Sequence, residues 1–337
     1  MRKQNILRAV VTDYVKSAQP IGSRTLARCY NINLSPATIR NEMSDLEDMG
    51  YLTQPHTSAG RIPSQKGYRF YVDSLMEIKE LSFEEKERIN KALEIEKFRE
   101  IEGIINHTSK LLASLTNYTT LILGPHLRKC AFKKLQIMPI DAQRGVLVLV
   151  ADTGFVKSKI INLPKTLSLD ELNRIVFYLN RRLDGLTIDK ITSELIVELR
   201  RELYNHITFL EEALTLMEKI LLEDERRVYL SGTTNILNQP EFENIEKIKA
   251  LLSLFEQRSL LVTLLTRPVA GVEGVVIRIG SENVLEEVQE CSLVMATYCL
   301  GKDIIGTIGI LGPTRMHYPR AVSVLQHVVN RLAKLYF

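Results

Sequence analysis

Runs rich in aliphatic and β-branched residues occupy two separate stretches of this chain, with a long helical block between them. The first stretch, from residue 120 to 164, reads TLILG, KKLQIMPI, GVLVLVAD and FVKSKIINLP, split by Gly, Pro and Asp turns. The second, from residue 274 to 312, reads GVVIRIG, CSLVMATYCL and IIGTIGILG, and a terminal helical segment, AVSVLQHVVNRLAKLYF, follows it. Strands on both sides of a helical block imply one α+β domain that carries an insertion. A chain of 337 residues has room for that domain and one or two more.

Within the block, Leu203, Ile207, Leu210, Leu214, Met217 and Leu221 recur at alternating steps of four and three, a seam of nearly three heptads. The seam predicts paired helices, either within one chain or between two. An earlier helix, SLDELNRIVFYLNRRL, is marked at its start by a capping box of Ser168 and Glu171. Residues 77–103 are dense in Glu and Lys with sparse apolar spacing at Leu81, Ile89 and Leu93, the pattern of a solvated helix that links two domains.

Charge is distributed unevenly. Residues 1–76 hold ten Lys/Arg against six Asp/Glu, whereas the remainder holds 34 against 34. Residues 1–41 hold seven basic groups and one acid, Asp13. This bias fits a polyanionic partner better than an acidic small substrate.

The same segment reads as three helices and a hairpin. Ile6, Leu7, Val10, Val11, Tyr14 and Val15 recur at helical spacing and stop before Gln19-Pro20-Ile21-Gly22. Ser23 is positioned to cap a short second helix, SRTLARCY, where Ser23 and Arg24 are candidate contacts. The third helix has Ser35 as N-cap, Pro36 at its first position and Gly50 as its stop. Ile39, Met43 and Leu46 form its buried stripe, so Ala37, Asn41, Ser44 and Asp48 point away from the core, flanked by Thr38, Arg40 and Asp45. Only the N-terminal half of that helix is free of acids, as in a recognition helix that enters the major groove by its first turns.

Beyond Gly50, a short strand TyrLeuThrGln, a Gly-containing loop and a second strand over LysGlyTyrArgPheTyrVal describe a wing that offers His56, Thr57, Ser58 and Arg61 to a phosphate backbone or minor groove. Three helices with a hairpin also serve as protein-docking modules, and that reading stays open on the pattern alone.

The stretches QPIGSRTLA, LSPATIRNEMSDLEDMGYL and QPHTSAGRIPSQKGYRFYVD resemble the heat-shock transcription repressor family HrcA, and the likeness continues more weakly through YLSGTTNIL and GTIGILGPTRMHYPRAV. The resemblance implies an α+β chain: an N-terminal winged helix-turn-helix over 1–76, a linker over 77–103, a GAF-like α/β sheet domain over 104–185 and 271–337, and an inserted helical dimerisation domain over 186–270. It further implies a homodimer that binds an inverted-repeat operator of double-stranded DNA upstream of chaperone operons, kept active by the chaperonin. Ser35, Thr38, Arg40 and Asn41 are then expected at the groove and Arg61 in the wing.

Other chemistries find little in the sequence. GTIGILG lacks GxGxxG spacing, and no GxxxxGK[ST] loop, HExxH pair or GxSxG elbow is present. Cys29, Cys130, Cys291 and Cys299 are scattered without a CxxC pair and read as buried structural thiols. No catalysis, cofactor or metal is expected. No apolar run approaches the roughly 18 residues needed to cross a bilayer, so a cytoplasmic protein without membrane contact is expected. The competing expectation is a ligand-responsive GAF-type sensor whose C-terminal domain binds a small effector.

Overall fold

The computed structural model describes residues 1–30, 32–56, 59–95, 101–124, 131–152, 156–163, 168–187, 190, 227–242, 244–266, 274–300 and 303–334. The chain divides into two compact units, one of Met1–Lys97, Ile105–Gly124 and Arg227–Phe337, the other of Phe98–Ile104 and Pro125–Arg226.

The first unit begins with α1 (Arg2–Ser17), α2 (Ser23–Cys29) and α3 (Pro36–Asp48). Ile6, Leu7, Val10 and Val11 of α1 are buried together with Leu26 of α2 and Ile39, Met43 and Leu46 of α3. Each such side chain contributes roughly 1.5–3 kcal/mol by leaving water. The start of α2 differs from expectation. Gly22, in extended conformation, is the N-cap, no side chain caps the helix, and Ser23 is its first residue.

Next come the antiparallel strands β1 (Leu52–Thr53) and β2 (Ile62–Pro63). The segment expected as the second wing strand is helical: α4 (Gln65–Phe70) runs directly into a π-helical turn over Tyr71–Leu75. Ser64 caps it, accepting from the Gly67 amide at 3.0 Å. The buried residues Tyr68, Tyr71 and Leu75 fall at helical rather than alternating spacing, and this burial overrides the β propensity of the aromatics.

Helix α5 (Phe83–Ile95) lies in the stretch expected as a solvated linker. It is packed instead: Ile89 and Leu93, one turn apart, are buried, and so is Leu81 just before the helix. After α6 (Ile101–Thr116), strand β3 (Thr119–Leu123) enters the main sheet and the chain leaves for the second unit.

There β4 (Phe132–Pro139), β5 (Arg144–Ala151) and β6 (Val156–Asn162) form an antiparallel meander, followed by α7 (Leu169–Leu183). Phe132, Leu135, Leu147, Leu149 and Ile161 pack against Leu172, Ile175, Leu179 and Leu183 of the helix. Asn180 pins the two layers, its carboxamide accepting from Leu135 N (2.6 Å) and donating to Leu135 O (2.8 Å). The capping box is present, with Glu171 N donating to Ser168 Oγ and Ser168 N to the Glu171 carboxylate. These strands were expected in one domain with the later ones; among the described residues β4–β6 form a sheet of their own, and they fall in the second unit. The leucine seam from Leu203 to Leu221 lies outside the described residues.

On return, β7 (Val228–Ser231), α8 (Thr233–Leu237), α9 (Ile245–Glu256), α10 (Arg258–Thr266), β8 (Val275–Ile279), β9 (Cys291–Leu300), β10 (Asp303–Pro313) and α11 (Tyr318–Lys334) complete the first unit. The sheet order is β7-β3-β10-β9-β8, antiparallel throughout. Residues 227–266, expected in the insertion, supply an edge strand and three helices to this unit.

Alternation along β9 divides the core. Cys291, Leu293 and Met295 face α9 and α10, whose Leu251, Leu254, Leu261, Leu264 and Leu265 cover them. The opposite face carries Ser292, whose hydroxyl bonds the Tyr318 hydroxyl of α11 at 2.7 Å. Arg320 Nη1 meets Glu85 at 2.5 Å and His327 bonds Asn90 at 3.2 Å, fastening α11 to α5. Gly306, Gly309 and Gly312 all lie within β10. Of the cysteines, Cys291 is buried, Cys299 half-buried and Cys29 exposed; Cys130 lies outside the described residues. No helix among the described residues is long and apolar enough to cross a membrane.

Candidate nucleic-acid interface

The third helix presents its first turns to solvent because its start is built from the chain's own polar groups. Ser35 Oγ accepts from Thr38 N at 3.1 Å and shares a hydrogen bond with Thr38 Oγ1 at 2.9 Å. Pro36 has no N–H to satisfy. Both hydroxyls are therefore committed to the cap, and Thr38 is half-buried. They shape the helix end rather than project from it.

Ala37, Arg40, Asn41 and Ser44 are exposed. Among the described residues, Arg40, Asn41 and Ser44 make no side-chain hydrogen bond or ion pair. Arg24 on α2 is likewise exposed, and Ser23 beside it is half-buried. The exposed set thus combines guanidinium, carboxamide and hydroxyl groups with the partial positive charge of a helix N-terminus.

Three of the acids farther along α3 are ion-paired from outside the helix by two cations. Lys3 Nζ stands 3.0 Å from Glu42 and 2.8 Å from Asp45. Asp45 first, and Glu42 next, raise the pKa of the Lys3 ammonium above its ordinary value. Glu47 pairs with Arg61 at 2.7 Å. Of the helix's four acids only Asp48 is left without an ion pair among the described residues. Lys3 was not expected from the sequence; its approach requires α1 to pack beside α3, which no local pattern reports.

The hairpin places its residues unequally. His56 is exposed near the tip, where Ala59 N donates to His56 O at 2.8 Å and Gln54 Nε2 donates to Ala59 O at 2.9 Å. Thr57 and Ser58 lie outside the described residues. Arg61 is not at the tip. Its backbone pairs with Ile21 through Ile21 N to Arg61 O (3.0 Å) and Arg61 N to Ile21 O (2.9 Å). A Cβ on Gly60 would sit 2.3 Å from the Ile21 carbonyl oxygen, so only glycine admits this bridge. The Arg61 side chain, 21% exposed, turns toward Glu47, close enough for an ion pair but out of line for an Nε hydrogen bond.

The expected interface residues that are described therefore fall into four groups: side chains on the first turns of α3 and on α2 that are without partners among the described residues, cap hydroxyls, the exposed His56 near the hairpin tip, and a wing-base arginine already paired with a carboxylate. No group of His, Cys, Asp or Glu that could hold a metal ion occurs among the described residues.

The family model and the curated relatives give one family. Residues 102–322 match the family model described as the HrcA protein C terminal domain. The heat-inducible transcription repressor HrcA of Natranaerobius thermophilus is 49% identical over 331 residues, covering 98% of this chain and 95% of that protein. The repressor of the same name from Desulforamulus reducens is 46% identical over 336 residues, covering 99% and 96%. A crystal structure of a hypothetical protein superposes with a TM-score of 0.64 at 27% identity, covering 99% of this chain and 98% of that one.

Proposed function

The chain belongs to the HrcA family of heat-inducible transcription repressors, and from that premise we propose that it represses by occupying an inverted-repeat DNA operator as a homodimer, reading bases with the first turns of α3. Arg40 and Asn41 are the base-reading pair in this account, since guanidinium and carboxamide groups make the bidentate contacts that distinguish guanine and adenine. Ala37 and Ser44 line the same face. Arg24, Ser23 and the hairpin residues His56, Thr57 and Ser58 meet the phosphate backbone. Chaperone operons as the regulated genes, and a chaperonin as modulator, follow from the family likeness.

The observation that carries this reading is the contrast along α3: Arg40, Asn41 and Ser44 near the start, without ion pairs among the described residues, and Glu42, Asp45 and Glu47 ion-paired with Lys3 and Arg61. Lys3 and Arg61 offset two of those three negative charges and so lower the repulsion that phosphates would otherwise meet.

Self-association has support of its own. The outer face of the β4–β6 sheet carries half-buried Val146, Val148 and Val150 and exposed Met138, Val156 and Ile160, beside the polar Lys134, Gln136 and Ser158. A two-fold dimer doubles the sequence read and matches an inverted repeat. An effector site in the five-stranded sheet is less favoured, since α9, α10 and α11 bury both faces of its β9 strand.

Selection of bound duplexes from a random pool tests the proposal. Recovered sites should be two-fold symmetric with a constant half-site separation. Recovery of asymmetric or unrelated sequences would remove the operator reading.

A further inference from the structure

Two polar contacts between residues far apart in sequence tie the N-terminal helices to the five-stranded sheet. At the first, α4 meets the turn that follows β8. The Gln65 carboxamide oxygen accepts from both the Ser281 amide (3.0 Å) and the Ser281 hydroxyl (2.8 Å). Arg69 Nε donates to Glu282 at 2.8 Å, and Nη2 donates both to the other Glu282 oxygen and to the Ile277 carbonyl at 2.7 Å. Glu282 is fixed in turn by the Ile279 amide at 2.9 Å.

At the second contact, Arg315 beyond β10 donates to the Val15 carbonyl near the end of α1 at 3.1 Å. Glu241 and Gln239 hold that guanidinium in place. Tyr68 of α4 and Tyr318 of α11 add a buried ring contact, centroids 6.1 Å apart.

The turn is shaped for its visitor. Gly280 has φ +56°, and a Cβ there would lie 2.3 Å from the Gln65 carboxamide carbon. Part-exposed polar pairs add little to stability; what a bidentate arginine–carboxylate contact supplies is direction. One such contact leaves rotation about it free, whereas two on different helices remove it.

We propose that Gln65, Arg69 and Arg315 are positioning residues that lock the DNA-reading helices onto the sheet and thereby set the half-site spacing at which the homodimer binds. This rests on the operator reading given above. None of the three touches DNA in this account, so their loss changes which spacing is accepted rather than how strongly any duplex is held.

The test compares the full-length wild type with Arg69→Ala and Gln65→Ala, measuring affinity for the selected inverted repeat with spacers lengthened by zero, one and two base pairs, and for a random duplex. Each added pair rotates one half-site by about 35°. The wild type should lose about tenfold or more at two added pairs, and Arg69→Ala less than about threefold, with random-duplex affinity unchanged. Gln65 is exposed, so Gln65→Ala carries the test should Arg69→Ala fail to fold. A steep wild-type profile that both variants keep overturns this inference alone. A wild type that does not prefer the repeat over random DNA overturns the operator reading and this inference together.

Discussion

Arg61, at the base of the hairpin, turns back onto Glu47 of the third helix, Nε 2.7 Å from the carboxylate, and thereby ties the wing to the helix it flanks. The pair is nearly neutral as a unit, so each partner controls how much charge the other shows to a phosphate backbone. Glu47→Gln releases the guanidinium and should tighten binding to every duplex, steepening log K against log salt by about 0.9 if the freed arginine neutralises one more phosphate. Arg61→Ala should weaken binding to all sequences alike. Salt titrations of both variants check this; a loss of sequence preference alone in Arg61→Ala would make Arg61 a base reader instead.

Arg40 is exposed and makes no ion pair among the described residues. Arg40→Ala should therefore leave the melting temperature unchanged while weakening operator binding by about 1–3 kcal/mol. Footprinting and thermal denaturation on one preparation separate the two effects. An unaltered footprint would remove Arg40 from the interface.

Ser35 works on a different link of the chain. Its hydroxyl satisfies the Thr38 amide, so Ser35→Ala should destabilise the fold by about 1 kcal/mol through the lost cap. Denaturant unfolding measures it. If stability were unchanged and operator affinity fell instead, the hydroxyl would be a DNA ligand rather than a cap.

Gly60→Ala drives a methyl group to 2.3 Å from the Ile21 carbonyl and must open the Ile21–Arg61 bridge. The expected cost is on the order of 1–3 kcal/mol, together with a looser hairpin and weaker binding to any duplex. Hydrogen exchange at the Ile21 and Arg61 amides reports the opening directly.

Much of this was legible in the sequence wherever local chemistry decides. Ser35, Pro36 and Gly50 bracket α3, and Ser168 with Glu171 starts α7, because caps act within one turn. The strands of both sheets were visible as apolar runs except β7, a four-residue edge strand too short to stand out from the stretch expected as the helical insertion. Their assignment to sheets was not: β4–β6 pair through short connections with each other, while β3 pairs with β7, more than a hundred residues later, and no local pattern reports a partner at that distance. The run after the wing read as a strand from its aromatics, yet Tyr68, Tyr71 and Leu75 are buried at helical spacing under tertiary packing. In the candidate interface, the exposed face of α3 followed from periodicity. The pairing of Arg61 with Glu47 and of Lys3 with Glu42 and Asp45 did not, since each joins elements brought together only by the fold.

The central claim is that the leading turns of α3 read operator DNA. Its most direct test is equilibrium binding of the full-length chain to an inverted repeat recovered by selection and to a random duplex of equal length, at moderate fixed salt. The account predicts that the repeat binds at least about 10³-fold more tightly, and that Arg40→Ala with Asn41→Ala removes most of that ratio. Equal affinity for the two duplexes, or a ratio untouched by the double substitution, would contradict it.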